Sequence, residues 1–264
     1  MKPLSELRHA SRIRRLLFDI DDTLTTEGRL TAESYVALEQ LKRAGKLLVP
    51  ITGRPAGWCD HIARTWPVDA VVGENGAFYF RLSEGKLHKT YRDAGKLRAH
   101  NRERLATIGA RIVERIPGCA LASDQAYRET DLAVDYCEDV PPLPLETAEQ
   151  IAALMRAEGL TAKVSSIHVN GWFGGYDKLA MTRQLFADAF GISPDNLQRD
   201  FAFVGDSPND APMFDYFETS VGVANIARFA GRLEAEPKYI ARCSAGAGFA
   251  ELATILLADI SKGS

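Results

Sequence analysis

The sequence predicts an α/β fold: a parallel sheet with helices on both faces, interrupted by an inserted α+β unit. Two observations place the sheet. Short apolar runs recur without the polar alternation of a one-sided strand, as in strands covered on both faces. Helical patterns separate them, and such strand–helix alternation implies parallel strands joined by crossovers. A third observation places the insert: from about Leu87 to Gly171 the alternation breaks. The core is therefore assigned to residues 1–86 and 172–264, and the insert to 87–171.

The apolar runs are RRLLFDI (14–20), KLLVPIT (46–52), DAVVGEN (69–75), FAFVGDS (201–207) and TSVGVAN (219–225), with KYIARC (238–243) a weaker candidate. The helix TAESYVALEQLKRAG has Thr31 as N-cap and Gly45 as stop, and its pattern turns Val36, Leu38 and Leu41 inward. DKLAMTRQLFADAFG has Asp177 as N-cap, Met181, Leu185 and Ala189 on one stripe, and Gly191 as stop. AGAGFAELATILLADI reads as a closing helix.

In the insert, a long basic helix (96–115) precedes CALASDQAYRETDLAVDYCEDV, which reads as a strand pair. The arginines of that helix, Arg98, Arg102, Arg104, Arg111 and Arg115, read as a solvated face. After the proline-rich PPLPLE come a second helix, TAEQIAALMRAEG, and a closing strand, TAKVSSIHVNGWF.

Composition narrows the function classes. Of 264 residues, 46% are hydrophobic and 25% charged, ordinary for a globular chain. A net charge of −3 gives no pull toward nucleic acid or an anionic membrane. The four cysteines have no C-x-x-C spacing, which argues against zinc and a disulfide framework. No apolar run approaches the ~18 residues of a membrane span, nor does the N-terminus carry the ~7–15 apolar residues of a signal peptide. A soluble, cytoplasmic chain is expected.

The chemistry lies at the strand ends. Ligands of open parallel sheets sit outside the carboxyl ends of the strands. Asp19, Asp21 and Thr23 follow the first run, and Thr52, Gly53 and Arg54 the second. Glu74, Asn75 and Gly76 follow the third, and Asp206, Ser207, Asn209 and Asp210 the fourth. One such cluster would be a turn; four on one edge suggest a site. Oxygen ligands without histidine or cysteine favour a hard cation such as Mg2+, and Asp19 and Asp206 suit it. An aspartate can attack phosphorus, and a second one two residues on can protonate the leaving oxygen and then activate water. Thr52 and the N–H groups after it could hold phosphate oxygens. Lys178, in the first turn of the helix after the insert, could neutralise the transferring group.

DIDDT, ITGR, DKLAM and GDSPND stand in the order of the four motifs of the haloacid dehalogenase (HAD) superfamily, which this sequence resembles. An insert between the second and third motifs, preceded by NGA, resembles the type IIB, Cof-like subfamily. The resemblance implies a Rossmann-like core with an α+β cap. It implies Asp19 as nucleophile and Mg2+ ligand, and Asp21 as general acid/base, binding the metal through its backbone carbonyl. Thr52 and Lys178 would hold the phosphoryl group, and Asp206 would be the second metal carboxylate. Asn209 and Asp210 would support metal, phosphate and Lys178. Arg54 would touch phosphate or substrate. Asp22 departs from a frequent glycine and reads as a turn residue.

Other positions stay two-sided. Asn75 lines the site or merely shapes the turn into the cap. His168, Asn170 and Trp172 share one strand face, which is either pocket or exposed sheet. Arg128 and Asp131 carry the same choice. The expected function is Mg2+-dependent hydrolysis of a small phosphate ester, as in type IIB phosphatases of sucrose, trehalose and other sugar phosphates. The alternatives are a phosphomutase resembling phosphomannomutase, whose fourth motif differs, and a non-catalytic sugar-phosphate-binding protein. A dehalogenase would lack the second acid, Asp21, and a receiver module is about half this length. A homodimer through the cap stays open.

Overall fold

The computed structural model describes residues 1–193, 196, 198 and 200–258. In chain order its elements are β1 (Lys2–Pro3), β2 (Arg15–Phe18), α1 (Ala32–Arg43), β3 (Leu47–Pro50), α2 (Ala56–Thr65), β4 (Val71–Gly73), β5 (Phe78–Ser83) and β6 (Lys86–Tyr91). Then come α3 (Gly95–Arg115), β7 (Ala120–Leu121), β8 (Asp131–Asp135), α4 (Leu145–Ala157), β9 (Thr161–Val164) and β10 (His168–Trp172). The chain continues through α5 (Lys178–Phe190), β11 (Phe201–Gly205), α6 (Ala211–Tyr216), β12 (Ser220–Gly222), β13 (Tyr239–Ile240) and α7 (Ala245–Ala258). The closing-helix reading extended to Ile260; residues 259 and 260 lie outside the described residues.

Six strands form an all-parallel sheet in the order β1-β13-β12-β11-β2-β3. The uninterrupted apolar runs have their explanation in its two faces. Leu16 and Phe18 of β2 pack with Leu38 and Leu41 of α1 and Phe249 and Leu252 of α7. Leu17, between them, points to the other face, with Met181 and Leu185 of α5 and Phe214 of α6. Both faces are covered, so Leu16, Leu17 and Phe18 are all apolar, and the next carboxylate appears only where the strand ends.

α1 starts and stops as its sequence indicates. The Thr31 hydroxyl accepts from the Ser34 N–H, and Gly45 takes φ +75° after the last turn. Its inward face needs one correction. Ser34, Ala37, Leu38 and Leu41 are buried, at the i, i+3, i+4, i+7 spacing of one stripe, but Val36 is 51% exposed. Val36 is two residues from Leu38, about 200° around the helix, and so faces solvent.

Two further differences surround the insert. β4, β5 and β6 form an antiparallel sheet, attached to the core by a parallel bridge between Ile51 and Val72. β5 and β6 are a hairpin turned by Glu84 and Gly85 at φ +52° and +73°. Residues 87–91 therefore pair with 78–82 rather than with the insert's sheet. The segment read as one strand, TAKVSSIHVNGWF, is two antiparallel strands, β9 and β10. Ser165 reverses the chain by hydrogen-bonding the His168 carbonyl with both its N–H and its hydroxyl.

The insert's four-stranded sheet runs β7-β8-β10-β9 and is antiparallel. Its period of two separates its faces. Leu132, Val134 and Val169 pack on Leu105, Ile108 and Ile112 of α3 and Ile151 and Met155 of α4. Asp131, Asp135, His168 and Asn170 lie on the opposite face, and all are buried. Four arginines of α3 are exposed, but Arg98 lies over the Tyr91 ring and donates to Glu129.

In denaturant unfolding, Leu38→Ala should cost about 2–5 kcal/mol, and Val36→Ser should stay within about 0.5 kcal/mol. Equal losses would place α1 on the wrong face.

Candidate active site

The carboxyl ends of β2, β3 and β11 deliver the site. The Asp19 N–H donates to Val204 O at 2.9 Å, and the Thr52 N–H to Val72 O at 2.9 Å. Each residue thus prolongs its strand by one ladder bond, which holds its side chain on the sheet edge. Lys178 is the first residue of α5, whose N-cap Asp177 accepts from the Ala180 N–H at 2.8 Å. Its ammonium is buried, 2.8 Å from Asp19 Oδ1 and 2.7 Å from Asp210 Oδ1. Asp210 Oδ2 accepts the N–H groups of Asp206 and Ser207, closing the loop after β11. A Cβ at Gly205 would sit 2.4 Å from that oxygen, so only glycine fits there.

Burial pushes the Asp19 carboxyl up to about 8, with Lys178 opposing and Asp210 and Asp21 adding to the rise. Asp206 is driven well up by burial, then by Asp19 and Asp210. Lys178 is raised because its two carboxylate partners outweigh the burial that would lower it. Asp206 Oδ2 accepts from Asn225 at 2.9 Å, but its Oδ1 is buried with no hydrogen-bond partner. Carboxylate oxygens of Asp19, Asp206 and Asp210 lie within 4.8 Å of one another. An orphaned buried oxygen inside an all-oxygen donor set fits Mg2+. Both Asp210 oxygens are engaged, which leaves Asp19 and Asp206 to hold the ion.

The second and third strand ends meet the insert. The buried Thr52 hydroxyl accepts from the Arg54 N–H at 3.0 Å. Asn209 Nδ2 donates to Asn75 Oδ1 at 3.1 Å, and Asn75 Nδ2 to Asp131 at 3.4 Å. Asp131 also accepts from Asn170 and from Arg128, and Arg128 reaches the Gly53 carbonyl at 2.8 Å. Asn75 therefore both shapes the turn, at φ +56°, and links core to insert. Gly53, Asn170, Asn209 and His168 line one small cavity with Asp19 and Asp21. The His168 face is thus buried against the core. Asp22 takes φ +55°, the left-handed conformation of a turn.

Arg54 lines the same small cavity as Asp19 and Asp21. Its guanidinium is buried among carboxylates: Asp21 at 2.8 Å, Glu138 at 2.5 Å and Asp124 at 3.2 Å. A cavity of about 320 Å³ opens beside it, lined by Asp21, Asp22, Thr25, Glu138, Ser166 and Arg228 among others.

Sequence reasoning missed Glu138, Asp124, Asn225 and Arg228. Asn225 was within reach of the strand-end rule, since it closes the fifth apolar run. Glu138, Asp124 and Arg228 carry no local signal; they reach the site only through the folded insert and the loop after β12. Glu74 has a structural part. It accepts from the N–H groups of Ala56, Glu129 and Thr130, tying the core to the insert.

The model of the haloacid dehalogenase-like hydrolase family matches residues 16–94. No curated protein matches the sequence. Among solved structures, a HAD/COF-like hydrolase from Plasmodium vivax is 17% identical with a TM-score of 0.67, over 95% of this chain and 97% of that one. The C-terminal domain of a Candida albicans trehalose-6-phosphate phosphatase is 15% identical with a TM-score of 0.66, over 93% and 92%. A HAD subclass IIB sugar phosphatase is 15% identical with a TM-score of 0.57, over 86% and 93%. At these identities the likeness establishes the fold. The family model thus covers the first part of the core, and the whole chain shares the fold of these solved structures. Among the described residues, no helix is long and apolar enough to cross a membrane.

The raised carboxyls make metal-free stability depend on pH. Asp19 rises from 3.8 to about 8, and Glu74, through burial and then Asp131, from 4.5 to about 7. The folded state binds these protons more tightly than the unfolded chain. Their stabilisation is fully present below about pH 4 and is lost as pH rises through 7 to 8. The melting temperature in chelator should therefore fall between pH 5 and 8. Added Mg2+ should raise it more at pH 8 than at pH 5, and Asp206→Asn should remove that rise.

Proposed function

We propose that this chain is a Mg2+-dependent phosphomonoesterase of a small hydroxylated metabolite, a sugar phosphate, working through an aspartyl-phosphate on Asp19. The observation that carries the reading is the buried cluster of Asp19, Lys178, Asp206 and Asp210, with the orphaned Asp206 oxygen, where Asp19 lines a small cavity shared with His168 and Asn170 of the insert. The phosphatase neighbours in fold support it.

An Asp19 oxygen attacks phosphorus and the ester P–O bond breaks. Asp21 gives its proton to the departing oxygen. Water then attacks the aspartyl-phosphate, Asp21 takes a proton from it, and the Asp19–phosphorus bond breaks to release inorganic phosphate. Lys178 holds Asp19 and offers positive charge to the phosphoryl group. Thr52, Gly53 and Asn209 hold its oxygens, supported by Asp210. Mg2+ on Asp19, Asp206 and the Asp21 carbonyl would supply the charge that lets a phosphate dianion approach these carboxylates. The insert, residues 87–171, acts as the cap. It excludes water and reads the leaving group with His168 and the face around it.

Phosphate release from a panel of sugar and small-acid phosphates, with Mg2+ and with chelator, tests this. Release should depend on Mg2+, and Asp19→Asn should lose a factor of about 10³ or more. If the folded, Mg2+-bound protein releases no phosphate from any ester, the reading fails. Phosphate migration on hexose phosphates would then favour a mutase, and binding without turnover a sugar-phosphate-binding protein.

A further inference from the structure

Arg54 has five N–H donors, as every arginine does, and each is engaged with a carboxylate. Nε is 3.0 Å from both oxygens of Asp21. Nη2 donates to Asp21 Oδ1 at 2.8 Å and to Glu138 Oε1 at 2.5 Å. Nη1 donates to Asp124 Oδ2 at 3.2 Å and to Glu138 Oε2 at 3.4 Å. No donor is left for a phosphate. Among the described residues, the hydrogen bonds of the Asp21 carboxylate all run to Arg54. The guanidinium plane is fixed on three sides: Glu138 and Asp124 grip one edge, Asp21 takes the other, and the Trp58 ring covers a face at 4.3 Å.

The grip comes from the insert. Glu138 stands in a loop tied to the end of β8, where Asp135 accepts the N–H groups of Cys137, Glu138 and Asp139 at 2.8–2.9 Å. His168 Nε2, on β10, is 2.9 Å from its Oε2. Asp124 is held in turn by Arg128. Asp21 is therefore oriented by an arginine whose own orientation is set by two insert carboxylates.

We infer that Arg54 is a positioning residue and not a substrate ligand, and that Glu138, with Asp124, aims Asp21 through it. The insert thereby completes the acid–base machinery only when it is docked on the core. This inference rests on the phosphatase reading of the same site, with Asp21 as the group that protonates the leaving oxygen. A carboxylate that loses its aim fails most where the leaving group most needs a proton. An alkyl ester needs it; a p-nitrophenyl ester, which departs as a stable phenolate, does not. The value of kcat/KM covers the steps up to release of that first product, so it isolates the effect from hydrolysis of the intermediate.

The test uses the full chain with Mg2+, Glu138→Gln, and two substrates, the alkyl phosphate of the panel that the wild-type protein hydrolyses fastest and p-nitrophenyl phosphate. The ratio of the two kcat/KM values, alkyl over aryl, should fall about tenfold or more, part of the ~10²–10⁴ that general acid–base catalysis supplies. Glu138→Asp should restore part of it. Asp124→Asn, which loosens the second grip, should lower the same ratio less, so a misfolded first variant does not decide the matter. Equal losses on both esters would mark Arg54 as a phosphate ligand or Glu138 as merely structural, and would overturn the inference alone. An unchanged ratio would overturn it too. A wild-type protein inactive on both esters would overturn the phosphatase reading, and the inference with it.

Discussion

Three buried carboxylates crowd together at the edge of the parallel sheet, two of them on one buried ammonium, and the molecule is arranged around that imbalance. Asp19 and Asp210 both bond Lys178, while Asp206, 4.0 Å from Arg228, keeps an oxygen with no partner. Such a cluster costs free energy in an empty site, because charge is poorly solvated there. The strands bear that cost. Their ladders place Asp19 and Asp206 one residue beyond a fully apolar stretch, and the two-faced core prevents the strand ends from relaxing apart. A low-dielectric site also strengthens whatever charge completes it, which is why a cation and a phosphate would bind strongly there.

The same economy of charge joins the insert to the core. Where the two meet, the contacts are mostly carboxylates with arginines or amides: Arg54 with Glu138 and Asp124, Arg128 with Asp131 and the Gly53 carbonyl, Asn75 with Asp131. Glu74 adds backbone donors from Glu129 and Thr130. Apolar contact across the junction is concentrated at Trp172 and Tyr176, beside the chain that returns to the core. Charged and amide groups can exchange protein partners for water when they part, whereas an apolar face cannot. A junction built this way would part at lower cost than an apolar one, as the proposed cap role requires.

Most of the core was legible in the sequence because burial on both faces forces unbroken apolar runs. β2, β3, β11, β12 and β13 all fall inside the runs read for them, and Asp19, Thr52 and Asp206 follow from the rule that ligands gather at strand ends. Lys178 was legible from its place after Asp177, which does cap α5. What was not legible depends on encounters between distant segments. The β5–β6 hairpin reads poorly because its outer strand is largely exposed, and the β9–β10 turn hides in two serines within a strand-like run. Val36 misled because an apolar residue beside a stripe looks like part of it. The partners of Arg54 were not legible either, because two of its carboxylates lie 70 and 84 residues away in the chain.

The insert's sheet divides two tasks by the alternation of its strands. Leu132, Val134 and Val169 hold the helices and carry its stability, while Asp131, Asp135, His168 and Asn170 face the core. Adjacent residues on one strand thus answer to different constraints. A change on the helix-facing set alters packing volume and is felt as stability. A change on the core-facing set alters charge and hydrogen bonding beside Asp21 while the apolar layer beneath stays intact. On the phosphatase reading, the core would fix where a phosphoryl group sits, because four strand ends and one helix start converge there. The leaving group would then meet the polar face of the insert, and a change on that face would alter selectivity without disturbing the fold or the placement of Asp19 and Lys178.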